Sequence, residues 1–178
     1  RRRRARGGRR ARRGRREARG GRGGGAGIDG EGGDEGQGGD DTITGNGNTQ
    51  IRFDGASASV TVNLGLGTAS GNASVGHDTI TGGVNSVFGS GFADSLTGSN
   101  GNDILNGGNG NDTLVGTGGS DSLFGGGGAD NFLYVVASDS TVASHDTIND
   151  FSHAQGDTID FTNIAGATAF QGMLADQG

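Results

Sequence analysis

The chain has 178 residues, of which 42 are Gly, and it contains no Pro, Cys, Trp or Lys. Leu, Ile, Val and Phe together number 33, too few for the large apolar interior of an ordinary enzyme domain. The missing Cys excludes a disulfide scaffold, the missing Pro excludes collagen, and no apolar run is long enough to span a membrane. Either the chain is disordered, or something other than hydrophobic burial organises it.

The net charge of −6 is the sum of two opposite segments. Residues 1–22 hold thirteen Arg and one Glu, which gives +12, whereas residues 23–178 hold one Arg and nineteen acids, which gives −18. Seventeen of the twenty acids are Asp, whose short side chain favours turns and cation sites over helix surfaces. An Asp-rich, Gly-rich body without Lys is typical of a protein that binds hard cations.

Residues 1–35 are low in complexity and rich in Arg and Gly, so we expect a disordered tail. Dense Arg could bind nucleic acid through phosphate attraction, but no aromatic residue is interleaved for base stacking, which favours a solvated tail over a nucleic-acid partner. A third hypothesis is that residues 1–25 are a translation artefact, because GC-rich DNA encoding Gly-Gly-x-Gly-x-Asp repeats gives Arg-rich peptide in another frame. The first residue is Arg, not Met, which suggests a fragment.

The next segment, residues 36–88, is predicted to contain β-strands and degenerate repeats. Val60, Val62 and Leu64 alternate within residues 56–71, which indicates a strand or a hairpin. Short motifs at 39–43, 77–80 and 85–87 look like offset copies of the repeat that follows them.

Five consecutive nine-residue repeats occupy residues 89–133. Each has Gly first, Asp sixth and a large apolar residue eighth. The sixth positions are Asp94, Asp103, Asp112, Asp121 and Asp130; the eighth are Leu96, Leu105, Leu114, Leu123 and Phe132. A single Asp could be a turn cap, but five at one fixed spacing indicate a shared function. The apolar residues at the eighth position are interpreted simply as the narrow core of the coil.

This period predicts short parallel strands separated by glycine turns, with one coil for every eighteen residues. Stacked coils would pair Asp94 with Asp112, Asp103 with Asp121, and Asp112 with Asp130. Two carboxylates about 5 Å apart repel by roughly 3 kcal/mol at an effective dielectric near 20. We therefore expect a cation between the turns, and Ca²⁺ suits it best, because Mg²⁺ demands tight octahedral geometry and Zn²⁺ prefers His or Cys.

GGNGNDTLV at 107–115 resembles the repeat of the RTX, or haemolysin-type calcium-binding, family. The resemblance implies an all-β parallel β-roll, with Ca²⁺ held by sixth-position carboxylates and by second- and fourth-position carbonyls. The implied metal ligands are Asp94, Ser99, Gly101, Asp103, Gly108, Gly110, Asp112, Thr117, Gly119, Asp121, Gly126, Gly128 and Asp130. Copy 89–97 departs from the pattern because Phe92 stands at its fourth position.

The segment 131–164 resembles the cap that follows the β-roll in serralysin-type metalloproteases. We assign residues 134–178 to this C-terminal β cap and regard it as truncated. Ile148, Phe151, Ile159 and Phe161 suggest paired strands that close the roll. Asp150, Asp157 and Asp160 either add a cation site or are solvated turn acids; the sequence leaves both open.

No catalytic motif is present: H-E-x-x-H and G-x-S-x-G are absent, and His77, His145 and His153 are far apart in sequence. We expect His145 and His153 to be exposed strand-edge or turn residues and not ligands. We therefore expect a binding module and not an enzyme. The resemblance implies secretion by the type I machinery to the extracellular space and folding on Ca²⁺. The alternative is the C-terminal fragment of a secreted RTX enzyme whose catalytic domain is missing.

Overall fold

A computed structural model describes residues 27–29, 38–161 and 163–164. Most of the predicted disordered tail, including the Arg-rich residues 1–25, and the end of the predicted cap lie outside the described residues. Within the tail, Gly27–Asp29 form a strand, so these three residues differ from the predicted disorder. They do so because they find a partner, pairing antiparallel with residues 49–52.

The described residues form fourteen strands and contain no helix. No helix that could cross a membrane occurs in this part of the chain. The strands are β1 (Gly27–Asp29), β2 (Thr42–Thr44), β3 (Thr49–Arg52), β4 (Thr61–Asn63), β5 (Thr68–Ser70), β6 (His77–Thr81), β7 (Val84–Phe88), β8 (Ser95–Thr97), β9 (Ile104–Asn109), β10 (Thr113–Val115), β11 (Ser122–Gly127), β12 (Asn131–Leu133), β13 (Thr147–Ile148) and β14 (Thr158–Asp160).

Successive repeats alternate between two sheets, and this confirms the predicted parallel β-roll. One sheet has the order β1-β3-β7-β9-β11-β13, and the other has the order β14-β12-β10-β8-β4-β5-β6-β2. Leu96 lies beside Leu114 in the second sheet, and Leu105 lies beside Leu123 in the first. Each register step is therefore eighteen residues, as two nonapeptides require.

The predicted three-residue strand holds in one sheet only. Strands β8, β10 and β12 have three residues each, whereas β9 and β11 have six and continue through the glycines that open the following repeat. Pairs such as Gly108 with Gly126 extend the parallel ladder there. The two sheets are thus joined by turns of unequal shape.

A hairpin interrupts the second sheet before the repeats begin. Strands β4 and β5 pair antiparallel, in accordance with the alternation of Val60, Val62 and Leu64. The hairpin lies inside the sheet: β4 also pairs parallel with β8, and β5 pairs antiparallel with β6. Because of this insertion, the first coil is longer than eighteen residues, and β2 meets β6 at an offset of 37 residues (Thr42 beside Thr79).

The core is a single apolar seam between the sheets. Its repeat members are the eighth-position residues, all at most 1 % exposed: Leu96, Leu105, Leu114, Leu123 and Phe132. At roughly 1.5–3 kcal/mol each, these side chains are a modest stabilising element, since every repeat contributes one of them. The predicted core role of the eighth position is confirmed.

The sequence suggested that the strands of the cap pair with each other, but the structure shows that they do not. Strand β13 pairs parallel with β11, and β14 pairs parallel with β12, so each extends one sheet. This arrangement covers the exposed edge of both sheets, which a separate hairpin could not do. Ile148, Phe151 and Ile159 pack against the core, and the rings of Phe132 and Phe151 lie 6.3 Å apart.

Candidate metal centres

The sixth-position aspartates form two rows along the turns of the roll. In one row, the backbone amide of Asp94 donates to Oδ1 of Asp112 at 2.7 Å, and the amide of Asp112 donates to Oδ1 of Asp130 at 2.9 Å. The row continues into the cap, where the amide of Asp130 donates to Oδ1 of Asp157 at 3.0 Å. Each Asp is fixed in this way by the coil before it.

The second row lies in the alternate turns. The amide of Asp103 donates to Oδ1 of Asp121 at 2.8 Å, and the amide of Asp121 donates to Oδ1 of Asp146 at 3.0 Å. All three pairs expected from the eighteen-residue register are therefore brought together. Asp146 and Asp157 continue the rows at offsets of 25 and 27 residues, which the nine-residue period did not predict.

Each row buries carboxylate oxygens that have no hydrogen-bond partner. The five repeat aspartates are at most 4 % exposed. One side-chain oxygen is buried and unpartnered in each of four of them: Oδ1 of Asp103 and Oδ2 of Asp112, Asp121 and Asp130. A buried carboxylate oxygen without a partner costs folding free energy unless a cation or a proton satisfies it.

Burial raises the pKa values of these carboxyl groups. The pKa of Asp112 rises to about 7, first because of desolvation and then because Asp94 and Asp130 lie beside it. The pKa of Asp121 also rises to about 7, through desolvation together with the nearby carboxylates of Asp146 and Asp103. The folded chain thus favours neutralisation of both rows, by protons or by a cation.

Residues 23–178 hold little positive charge of their own. They contain one Arg, Arg52, and no Lys, against nineteen acids. Arg52 donates to Asp54 at 3.1 Å and lies 4.4 Å above the ring of Phe88. Within residues 23–178 the acids outnumber Lys and Arg by eighteen, so a bound cation is a suitable source of charge balance along the rows.

Backbone carbonyls converge on the same turns. Gly108, Gly110, Gly126 and Gly128 all have φ between +95° and +133°, a region that Gly adopts without steric cost. An added Cβ at Gly126 would collide with the carbonyl oxygen of Gly108, and one at Gly128 would collide with that of Gly110. The second- and fourth-position carbonyls of one coil therefore face the glycines of the next, which leaves a cradle that any side chain would fill.

These donors fit a hard cation that prefers oxygen ligands. Between copies 107–115 and 125–133, Oδ2 of Asp112 and of Asp130 and the carbonyls of Gly108 and Gly110 would hold it. Among the described residues, no group of three or more His, Cys, Asp or Glu has metal-binding geometry, so carbonyls are needed to complete any site. His145 and His153 are exposed, as expected; His77 is also exposed, and none of the three belongs to such a group.

In copy 89–97, protein donors form hydrogen bonds with both carboxylate oxygens of the aspartate. Oδ2 of Asp94 accepts from the Ser90 amide at 2.5 Å, and Oδ1 accepts from the Ser90 hydroxyl and the Val60 amide, both at 2.7 Å. Neither carboxylate oxygen of Asp94 is therefore buried without a partner. This is a second difference between copy 89–97 and the other copies, in addition to Phe92 at the fourth position. Ser90 is the partner of Asp94 that the repeat pattern did not single out, although Ser at a glycine position was a visible signal.

In copies 98–106 and 116–124, side-chain hydroxyl groups engage some, but not all, of the oxygen atoms predicted to bind the cation. The Ser99 hydroxyl donates to Oδ2 of Asp103 at 2.9 Å, so only Oδ1 of Asp103 stays unpartnered. The Thr117 hydroxyl donates to the Ser99 carbonyl, which engages one of the predicted carbonyl ligands. Thr117 itself has φ of 68°, which costs energy for a β-branched residue, so the Gly conformation is kept there despite the substitution.

Two acids of the cap have structural partners. Asp150 accepts from the amides of Gly125 and Gly126, both at 2.9 Å, and Asp157 accepts from the Asp130 and Ser152 amides. These bonds satisfy the last turns of the roll, so both carboxylates serve as backbone caps in the structure. This favours the turn-acid interpretation for these two residues.

A family model described as the RTX calcium-binding nonapeptide repeat (four copies) matches residues 81–114 and 107–133. Those residues are the stretch that carries the aspartate rows and the glycine cradles. No curated protein matches the chain significantly.

Proposed function

We propose that this chain, whose residues 81–133 are RTX calcium-binding nonapeptide repeats, is a secreted module that folds when Ca²⁺ binds between its stacked turns. The observation that carries the proposal is the set of buried, unpartnered carboxylate oxygens in the turns, best developed at Asp112 and Asp130. Their position beside inward-facing carbonyls is the oxygen-rich environment that Ca²⁺ prefers.

The switch depends on repulsion between the carboxylates of neighbouring turns. At neutral pH in the absence of metal, ionised Asp112 lies between the carboxylates of Asp94 and Asp130, and their repulsion and desolvation oppose stacking of the coils. The apolar seam, with one large residue in each repeat, is too small to overcome this for a long row. Bound Ca²⁺ supplies the positive charge and the coordination that make the stacked state favourable.

The free energies involved are sufficient for a switch. A ligand that binds only the folded state stabilises it by about 2.7 kcal/mol per site at one hundred times its dissociation constant. Two or three such sites would span much of the 5–15 kcal/mol by which domains are usually stable. Extracellular modules bind Ca²⁺ at roughly 0.1–1 mM, so the chain would be unfolded at low cytosolic Ca²⁺ and folded outside the cell.

Export in the unfolded state is the biological use of such a switch. We assign export to the type I secretion machinery and localisation to the extracellular space, as the family resemblance implies. The absence of Cys agrees with a fold that needs no disulfide chemistry. Expression of the chain with and without a type I exporter, followed by assay of the medium, tests this assignment.

A second candidate function is that of the C-terminal part of a secreted RTX enzyme. The cap favours it, because β13 and β14 extend both sheets in a segment that resembles the serralysin-type C-terminal region. The complete open reading frame separates the two: an upstream H-E-x-x-H favours the enzyme, and further repeats favour a structural or adhesive protein.

The folding switch is tested by far-UV circular dichroism of the chain in EDTA and in millimolar Ca²⁺, with Mg²⁺ as the control cation. We expect coil in EDTA, β-structure in Ca²⁺ and little response to Mg²⁺. A spectrum that is the same in EDTA and in Ca²⁺ would refute the switch.

A further inference from the structure

The backbone conformation at the second position divides the five repeat turns into two classes. Gly108, Thr117 and Gly126, the second residues of the last three copies, have φ of 104°, 68° and 95°. Ser90 and Ser99, the second residues of the first two copies, do not have a positive φ. The orientation of an amide relative to the rest of its turn depends on φ, so the two classes direct the amide of the second residue differently.

In the first two copies, the second residue binds the aspartate of its own turn. The amide of Ser90 donates to Oδ2 of Asp94 at 2.5 Å, and its hydroxyl donates to Oδ1 at 2.7 Å. The amide and the hydroxyl of Ser99 donate to Oδ2 of Asp103 at 2.6 Å and 2.9 Å. We call this arrangement a closed turn, because the second residue supplies two donors to the carboxylate and Oδ2 is satisfied by the protein.

In the last three copies, the second residue leaves the aspartate without this partner. Oδ2 of Asp112, Asp121 and Asp130 is buried and has no hydrogen bond, whereas Oδ1 of each accepts from the coil before it. We call this arrangement an open turn. Oδ1 of Asp103 also lacks a partner, but it corresponds to the oxygen that meets the preceding coil and not to the one that the second residue binds.

The stacking of the coils explains which residues permit the open form. An added Cβ at Gly126 would collide with the carbonyl oxygen of Gly108, and one at Gly108 would collide with that of Ser90. A Ser at either position would therefore be driven from the positive φ that the open turn requires. Thr117 keeps its positive φ while its hydroxyl donates to the Ser99 carbonyl, so its side chain is directed away from the aspartate.

We propose that the second residue of each copy determines whether its turn can bind a cation, and that a turn supplies ligands only in the open form. Because the cation is Ca²⁺, this assignment rests on the function proposed above. The third and fifth copies, at 107–115 and 125–133, stack on each other, and both of their turns are open. In the first and second copies, Ser90 and Ser99 act as built-in substitutes for the ion, so these turns stack without metal.

The first test follows the side-chain carboxyl ¹³C signals of the aspartates in the full wild-type chain, folded in Ca²⁺. Replacement of Ca²⁺ by the diamagnetic ion La³⁺ changes the chemical shift of a carboxyl group that coordinates the ion. We expect the signals of Asp112, Asp121 and Asp130 to move and those of Asp94 and Asp103 to stay in place. Movement of all five would overturn this inference and leave the proposed function standing. No movement at any of the five would refute the calcium function and this inference with it.

The second test is the substitution Ser99→Gly, which removes the hydroxyl donor and gives copy 98–106 the second residue of an open turn. We expect the number of Ca²⁺ bound per chain in equilibrium dialysis to rise by one, and the Asp103 carboxyl signal to respond to La³⁺. Ser120→Gly, at the exposed fifth position of the next turn in that row, is the matched control and should bind as many ions as the wild type. An unchanged number of bound ions in folded Ser99→Gly would overturn the inference; if this variant does not fold, the La³⁺ response of the wild-type chain decides.

Discussion

Replacing Asp112 by Asn should stabilise the roll in the absence of Ca²⁺ and reduce the stabilisation that Ca²⁺ produces. Asp112 is 1 % exposed and lies between Asp94 and Asp130 in its row. Asn keeps an oxygen that can accept from the Asp94 amide, now 2.7 Å from Oδ1, but it removes the ionised oxygen Oδ2. The substitution therefore separates the hydrogen-bonding role of Asp112 from its charge.

The magnitude without metal follows from the pKa. A rise from 3.8 to about 7 means that ionising Asp112 in the folded chain costs up to about 4 kcal/mol more than in water. Asn removes that cost but weakens one hydrogen bond by roughly 1 kcal/mol. At pH 7.5 in EDTA, Asp112→Asn should thus favour the folded state by roughly 3 kcal/mol relative to wild type.

In Ca²⁺ the net effect of the substitution should be close to zero. At one hundred times the dissociation constant, each site contributes about 2.7 kcal/mol, and we propose that Asp112 and Asp130 share one site. Loss of that site cancels most of the gain seen in EDTA, so the stabilisation produced by Ca²⁺ should fall by about 2.7 kcal/mol.

The assay is thermal unfolding followed by far-UV circular dichroism, at pH 7.5 in EDTA and in saturating Ca²⁺. Asp54→Asn is the charge control, because it removes an exposed surface pair worth at most about 1 kcal/mol. Asp94→Asn is the positional control, since its carboxylate oxygens already accept three bonds and its loss should destabilise the chain in both buffers. The reasoning is refuted if Asp112→Asn lowers stability in EDTA and keeps the wild-type response to Ca²⁺.

Three further predictions concern pH, the turns and the core. The pKa values of Asp112 and Asp121 in the folded state are raised to about 7, so the folded state binds protons more tightly than the unfolded state. In EDTA, the free energy of unfolding should therefore fall as the pH rises from about 4 to 7. Stability that increases over this range, followed by circular dichroism, would contradict this. Gly128→Ala should raise the Ca²⁺ concentration at the folding midpoint at least tenfold, because φ is +133° and the new Cβ would collide with a carbonyl oxygen. The control Gly118→Ala, whose new Cβ would have its nearest atom at 3.8 Å, should change this midpoint less than twofold. Equal midpoints for the two variants would be inconsistent with the cradle. Leu114→Ala should cost about 2–5 kcal/mol in Ca²⁺ by urea unfolding, since this side chain is fully buried, and a cost below 1 kcal/mol would argue against the seam.

The period of the sequence was sufficient to predict the coil and its core. A fixed spacing of nine places every sixth residue in a turn and every eighth residue inside, so the pairing of Asp112 with Asp130 and the burial of Leu114 both follow. Small residues fill the remaining positions, and no competing pattern blurs the register.

Departures from the period could be seen in the sequence, but their effects could not be deduced from it. Ser90 at a glycine position satisfies Asp94, whereas Thr117 at the equivalent position of another copy engages the Ser99 carbonyl. A hydroxyl has several possible partners within reach in a tight turn. Which one it finds depends on the coil stacked beside it.

Contacts at irregular offsets were missed for a related reason. The offsets of 25 and 27 residues that place Asp146 and Asp157 in the rows have no periodic signal, and neither has the offset of 37 between Asp41 and Asp78. The cap strands likewise extend the two sheets instead of pairing with each other, because open sheet edges are the nearest unsatisfied hydrogen-bonding groups.

The sequence by itself therefore determined the repeating unit, its apolar seam and the acidic character of its turns, since these depend only on spacing and residue type. Only the tertiary structure decided which carboxylate oxygens are satisfied by the protein and which are buried without a partner. That distinction depends on which donors surround each carboxylate: Ser90 and Val60 donate to Asp94, whereas Oδ2 of Asp112 has no donor, although both aspartates are the sixth residue of their copies.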